Sequence, residues 1–132
     1  MRVLALDYGS ARCGCAVCDP TATIVTPIEP VLAPATRRGL RALADLVATR
    51  EVGRVVVGLP LTLRGGDSAQ TAEARAFADR LAGRLGDEVP VELYDERLTT
   101  RLAQRDLDRR TSEDSRAAAH LLEGWLAARR DP

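Results

Sequence analysis

The first third of the chain has the hydrophobic patterns of β-strands. Residues 3–6 are all apolar and Gly9 follows before a helical turn could form, so this run predicts a strand buried on both faces. Residues 13–18 and 23–31 predict two more strands, and turn-forming residues separate the three. Pro27 and Pro30 lack the N–H that a sheet ladder needs, which places the third strand at an edge. The pattern therefore predicts a three-stranded antiparallel meander.

Beyond residue 35 the apolar spacing alternates between helical and strand periods. Helix starts are assigned from capping residues, and helix ends from glycines. The predicted elements are a helix from the N-cap Thr36 to Gly53, a strand at 54–58, a helix from the N-cap Asp67 to Gly86, a strand at 89–94, and helices at 100–110 and 112–130. The first of these helices is predicted to cross over to a strand that runs parallel to the first one.

Together these elements predict an α/β fold. Its mixed five-stranded sheet combines the antiparallel three-strand meander with parallel strands and is flanked by helices. A chain of 132 residues without a linker or an internal repeat is expected to form one domain spanning 1–132.

Charge and hydropathy narrow the class of protein. Nineteen basic and nineteen acidic residues give a net charge of zero, so contact with nucleic acid has to come from local clusters of charge. Every basic residue is arginine, whose planar fork can bind phosphate at two points. No apolar run approaches the length of a membrane span and no signal-type segment precedes the first strand, so we expect a cytoplasmic protein.

Three cysteines, Cys13, Cys15 and Cys18, lie within six residues. Their spacing is compatible with zinc or redox chemistry, but a tetrahedral site would need a fourth ligand. A free cysteine otherwise behaves as a small hydrophobic residue, so we expect reduced, structural thiols.

Acidic residues end two of the predicted strands. Asp7 leaves the first strand at a glycine turn, where it either accepts hydrogen bonds from turn amides or binds a cation. Asp95 and Glu96 end the last strand, and the two-residue period sends them to opposite faces. Alternation in the sequence does not choose between them, and one of the two is expected to pair with a nearby arginine.

A further acid, Asp114, begins the last helix. It lies three residues before Ala117 and four before Ala118, so it extends the predicted buried stripe, although the helix dipole alone also favours an acid there. Carboxylates that converge at one end of a sheet prefer Mg²⁺ or Mn²⁺. Such ions can activate water and stabilise the leaving oxygen of a phosphodiester.

Two basic segments are candidate phosphate contacts. Arg64, Gly65 and Gly66 precede a helix N-terminus, where freed amides and the helix dipole favour an anion, unless the segment is an ordinary connecting loop. The second segment is a stripe of arginines spaced by four, which either follows a phosphate backbone or pairs with Asp106 and Asp108 as a solvated face. The stripe consists of Arg97, Arg101, Arg105 and Arg109. With few aromatic residues, recognition by backbone and shape is favoured over base reading.

In combination, four motifs resemble those of the YqgF/RuvX family. They are residues 6–16, LDYGSARCGCA; 57–61, VGLPL, with Gly65 and Gly66; 95–100, DERLTT; and 114–118, DSRAA. The resemblance implies an RNase H-like fold and a nuclease that processes pre-16S rRNA or resolves Holliday junctions. It also implies that Asp7, Glu96 and Asp114 are the catalytic, metal-binding acids, and it alone prefers Glu96 to Asp95. The segment from 100 to 114 is shorter than the family's usual span.

Two readings from other classes stay open. The Asp-x-Gly-Ser turn and the meander also resemble the phosphate loop of actin-like ATPases and sugar kinases, but those enzymes need a second lobe that 132 residues do not provide. The other reading is a non-catalytic RNase H-like module that binds nucleic acid or ribosome precursors. A resolvase that cuts two strands symmetrically would require a homodimer.

Overall fold

The computed structural model describes residues 1–59, 68–95 and 113–130. These residues form five strands and three helices in an α/β arrangement. In chain order the elements are β1 (Arg2–Asp7), β2 (Arg12–Cys18), β3 (Val25–Leu32), α1 (Arg37–Thr49), β4 (Val52–Leu59), α2 (Ala69–Leu85), β5 (Val91–Asp95) and α3 (Glu113–Arg130).

The strands form one mixed sheet in the order β3-β2-β1-β4-β5. β1 pairs with β2, and β2 with β3, in antiparallel fashion, which confirms the predicted meander. β1, β4 and β5 are parallel, as the crossover prediction required. β3 forms an edge, where its prolines are tolerated. The carboxyl ends of β1, β4 and β5 therefore meet at one edge of the sheet.

Helices cover both faces of the sheet. α1 and α2 pack on the face that carries Leu4 and Leu6 of β1, and α3 packs on the face that carries Val3 and Ala5. All four of these side chains are buried, which confirms that β1 is covered on both sides. Alternation along β1 therefore tells which helix layer each of its side chains meets.

The first helix begins where the sequence predicts but ends earlier. Thr36 is its N-cap, and the hydroxyl of Thr36 accepts a hydrogen bond of 3.1 Å from the Gly39 amide. The predicted end at Gly53 is wrong because the chain turns at Glu51, which has the left-handed φ of 55°. Gly53 instead belongs to β4.

The second helix has its N-cap at Ser68, one residue after the predicted Asp67. The Ser68 hydroxyl accepts a hydrogen bond of 3.2 Å from the Thr71 amide. Ser and Asp are both good N-caps, so the residue types alone did not decide between positions 67 and 68. The helix ends at Gly86, as predicted, where φ is 79°.

The three cysteines are buried, free thiols that belong to β2. Cys13 and Cys15 pack in the core under α1 and α2, whereas Cys18 packs on the α3 face. Because they lie on opposite sides of the sheet, the three thiols do not converge on one ion.

The buried side of α3 does not include the predicted Ala117. Ala118, Leu121, Leu122 and Trp125 are buried, but Ala117 is exposed. Among the three helices that the structure describes, none has the length and apolar character of a membrane span.

Candidate active site

Asp7 ends β1 on the face that α3 covers. It follows Val3 and Ala5 at the two-residue period, and both of those side chains pack against α3. Asp7 itself is half-buried. A carboxylate that lies partly out of water at a strand end is suited to accept hydrogen bonds or to bind a cation.

The start of α3 is fastened beside the end of β1. The Ser115 hydroxyl donates a hydrogen bond of 2.5 Å to the Ile28 carbonyl and accepts one of 3.4 Å from the Cys15 amide. Cys15 lies opposite Leu6 in the sheet, and its neighbour Gly14 lies opposite Asp7. Ser115 is fully buried, so these bonds are shielded from water. The first turn of α3 therefore meets the sheet at the edge where Asp7 lies.

Asp114 belongs to that first turn, although its side chain lies outside the described part of the structure. It precedes Ser115 directly, and it is four residues before Ala118 and eleven before Trp125, which lie on the buried side of α3. Trp125 donates a hydrogen bond from Nε1 to the Glu92 carboxylate of β5. The helix is thus held to the sheet near both of its ends.

The packing of β5 tells which face of the sheet Asp95 belongs to. Tyr94 packs with the α3 core, and Glu92, two residues earlier, bonds to α3. Asp95 alternates with them and so belongs to the opposite face, in register with Leu59 of β4. Asp95 therefore does not share the α3 face with Asp7.

The turn after Asp7 requires glycine at one position and packs an aromatic ring on α2. A Cβ atom at Gly9 would lie 2.6 Å from the Arg12 carbonyl oxygen, so only glycine fits there. The ring of Tyr8 stacks on Phe77 of α2 with centroids 4.7 Å apart. Burial raises the pKa of the Tyr8 hydroxyl, and the negative charge of Glu73 raises it further.

A cavity of about 230 Å³ opens beside this turn. The described residues that line it are Asp7, Tyr8, Gly9, Ser10, Gln70 and Glu73. The spacing of three from Asp67 to Gln70 is that of a capping box and predicts a capping role for Gln70, whereas the sequence pattern gives Glu73 no role. The available signal was their spacing of three at the start of a helix that follows a parallel strand.

Several predicted site residues lie outside the described residues. They are the acid Glu96 and the basic set Arg64, Gly65, Gly66, Arg97, Arg101 and Arg105. Within the ranges that the structure does describe, no three metal-binding side chains gather. Of the three predicted metal ligands, only Asp7 has a described side chain.

Comparison with known proteins identifies the family. A family model described as "RuvX: Holliday junction resolvase" matches residues 1–128. A protein of Chloroflexus aggregans named "Putative pre-16S rRNA nuclease" is 41% identical over 138 residues, which cover 98% of this chain and 96% of that protein. A relative of the same name from Anaeromyxobacter sp. is 41% identical over 137 residues and covers 98% of each chain.

Solved structures give the fold. The RuvC structure of Thermus thermophilus superposes with a TM-score of 0.65 at 18% identity, over 98% of this chain and 96% of that one. This likeness confirms the RNase H-like fold that the motifs implied. With a family match over nearly its whole length, this chain belongs to the RuvX family of Holliday junction resolvases.

Proposed function

We propose that this chain is a divalent-metal-dependent nuclease that hydrolyses phosphodiester bonds and processes the 5′ end of pre-16S rRNA in the cytoplasm. The single observation that carries the proposal is the attachment of α3 beside Asp7 through Ser115. It brings an acid of the first strand and the acidic first turn of the last helix to one edge of the sheet.

The proposed metal ligands are Asp7, Glu96 and Asp114. Tyr94 packs with the α3 core and Asp95 belongs to the opposite face, which supports Glu96 over Asp95 as the ligand that accompanies Asp7. All three ligands would be carboxylates, the hard donors that suit Mg²⁺ or Mn²⁺. The soft sulfur donors of β2 are buried in the two cores.

In this proposal the protein contributes rigidity and position. Asp7 is followed by Tyr8, whose ring packs on Phe77, and by a turn that only Gly9 fits, and Asp114 belongs to the anchored start of α3. A bound ion would lower the pKa of its water and neutralise charge on the leaving oxygen. Preorganised ligands favour hydrolysis because they need not rearrange as charge develops.

For the substrate, we propose contacts to the phosphate backbone from Arg64, Gly65 and Gly66 and from Arg97, Arg101 and Arg105. The name of the relatives supports pre-16S rRNA as the substrate. The description of the family model favours a second candidate, the resolution of branched DNA during recombination by a homodimer.

Cleavage assays on purified protein separate these functions. The substrates are a labelled RNA with the pre-16S 5′ extension, a single-stranded RNA and a four-way DNA junction, each with Mg²⁺ or Mn²⁺. The Asp7→Asn variant removes the negative charge of a proposed metal ligand. It should lower the cleavage rate by more than about 100-fold, which is more than the loss expected when a residue that only supports a metal ligand is removed. Asp45→Asn, at an exposed position of α1, is the matched control and should cleave normally.

Each result has a defined meaning. Cleavage of the RNA extension supports the proposal, and cleavage of the junction alone supports the resolvase. Nucleic-acid binding that survives Asp7→Asn, with no cleavage by either protein, would support the non-catalytic module. ATP turnover without nucleic-acid cleavage would support the kinase-like reading.

A further inference from the structure

The cavity beside Asp7 is larger than a metal site requires. Its volume of about 230 Å³ is several times larger than the roughly 30 Å³ that one water molecule occupies in the liquid. It begins at the carboxylate that we propose to bind metal and extends to the first turn of α2, where Gln70 and Glu73 lie. A group bound in it would therefore lie beside Asp7.

The charge of the cavity determines what it can bind. Two of its described lining residues, Asp7 and Glu73, are acids, and Arg and Lys are not among those lining residues. Carboxylates accept hydrogen bonds, so these two side chains favour a bound group that offers hydrogen-bond donors.

Its walls have the chemistry of a nucleobase site. Gln70 and Glu73 are exposed and lie three residues apart, so their side chains leave α2 on the same side. Tyr8 also lines the cavity, and its ring stacks on Phe77. An aromatic side chain combined with an amide and a carboxylate can bind a flat base by packing and by hydrogen bonds.

We propose that this cavity holds the base next to the scissile phosphate and selects bases with an exocyclic amino group over uracil. This inference rests on the proposed nuclease function. It adds one contact with a base to the recognition by backbone and shape that the sequence favours.

The selectivity follows from the carboxylate of Glu73. An ionised carboxylate only accepts hydrogen bonds, so it pairs with the amino group of cytosine, adenine or guanine. At the exocyclic position where cytosine carries its amino group, uracil carries a carbonyl oxygen, so a carboxylate that faces this position meets a second acceptor. The N3–H of uracil is a donor, but it points in a different direction from the ring. Gln70 can both donate and accept, so it orients the base without choosing between these pairs. Glu73 is therefore the specificity-determining residue.

The test uses single-stranded RNA with four random nucleotides around each candidate cleavage site, followed by sequencing of the products. At one position beside the cleaved bond, wild-type protein should prefer cytosine over uracil by roughly tenfold, within the range of a well-placed side-chain pair. In Glu73→Gln the ratio should fall to about one, because the amide can also donate to the uracil oxygen. Products cleaved beside cytosine and beside uracil are counted separately for each protein, so the ratio does not depend on the overall cleavage rate of the variant.

Asp79→Asn is the matched control, because it removes one negative charge at an exposed position of the same helix away from the cavity. This control should keep the wild-type preference. Cleavage without a base preference, or a preference that is unchanged in Glu73→Gln, would overturn the inference and leave the nuclease function intact. Absence of cleavage by the wild-type protein would overturn both.

Discussion

Replacing Ser115 with alanine tests how the start of α3 is held. The substitution removes a hydroxyl that bonds two strands at once, at the Cys15 amide and the Ile28 carbonyl. Ser115 is fully buried, so water cannot replace the lost partner without opening the helix-sheet contact.

The size of the effect follows from these two bonds. Each buried hydrogen-bonding group that loses its partner costs about 1 kcal/mol. Because the substitution leaves two such groups, Ser115→Ala should lower the free energy of unfolding by about 2 kcal/mol. In a domain of this size that corresponds to a fall in Tm of about 6–8 °C. Because the bonds also position the turn that carries Asp114, the affinity for Mn²⁺ should fall about tenfold, as for other supporting contacts.

Thermal unfolding followed by circular dichroism measures the first effect, and calorimetric titration with Mn²⁺ well below Tm measures the second. Ala117→Ser, at an exposed position of the same helix, is the control and should change the unfolding free energy by less than about 0.5 kcal/mol. An unchanged Tm in Ser115→Ala would refute the anchoring role. A lowered Tm with unchanged Mn²⁺ affinity would refute the link to the metal site.

Three further predictions concern the site, the packing and the pH dependence. Glu96→Gln should abolish cleavage with Mn²⁺, whereas Asp95→Asn should retain it, because Asp95 lies on the sheet face away from α3. Gly39→Ala should destabilise the protein although alanine favours helices by about 1 kcal/mol, since its Cβ would lie 2.6 Å from a loop backbone atom and overpacking costs about 1–3 kcal/mol. Gly83→Ala should stabilise it in denaturant unfolding, because a Cβ there meets nothing within 4 Å. A hydroxyl and two backbone amides lower the pKa of Asp19 to about 2, so Asp19→Asn should lower Tm at neutral pH and lose its effect as the pH falls from about 4 to 2.

The opposite results would count against these arguments. Cleavage that depends on Asp95 and not on Glu96 would exchange the proposed ligands. If the Gly39→Ala protein were as stable as the Gly83→Ala protein, the loop would be able to move away from the added Cβ without lowering the free energy of unfolding. A pH-independent effect of Asp19→Asn would mean that the ionised carboxylate is not what stabilises its turn.

Local signals in the sequence were sufficient for the meander and for the position of Asp7. A continuous apolar run buries a strand on both faces, and Gly9 marks the turn at its end, so both follow from short-range physics. The N-cap at Thr36 was predicted for the same reason. The end of α1 was not, because the left-handed residue is Glu51, and glutamate gives no local signal for that conformation.

The candidate site depended on contacts that sequence patterns do not encode. Alternation put Asp95 and Glu96 on opposite faces, but only the packing of Tyr94 against α3 tells which face is which. Likewise, the sequence pattern does not distinguish Glu73 from any other exposed acidic residue of a helix. Its place beside Asp7 follows from the position of α2 on the sheet, which is a tertiary property.

The most direct test of the central claim is a crystal structure of the protein soaked with Mn²⁺, with the ions located by anomalous scattering. We expect manganese to be bound by carboxylate oxygens of both Asp7 and Asp114, at distances of about 2.0–2.3 Å. Manganese bound elsewhere, or Asp7 and Asp114 sharing no bound ion, would contradict it.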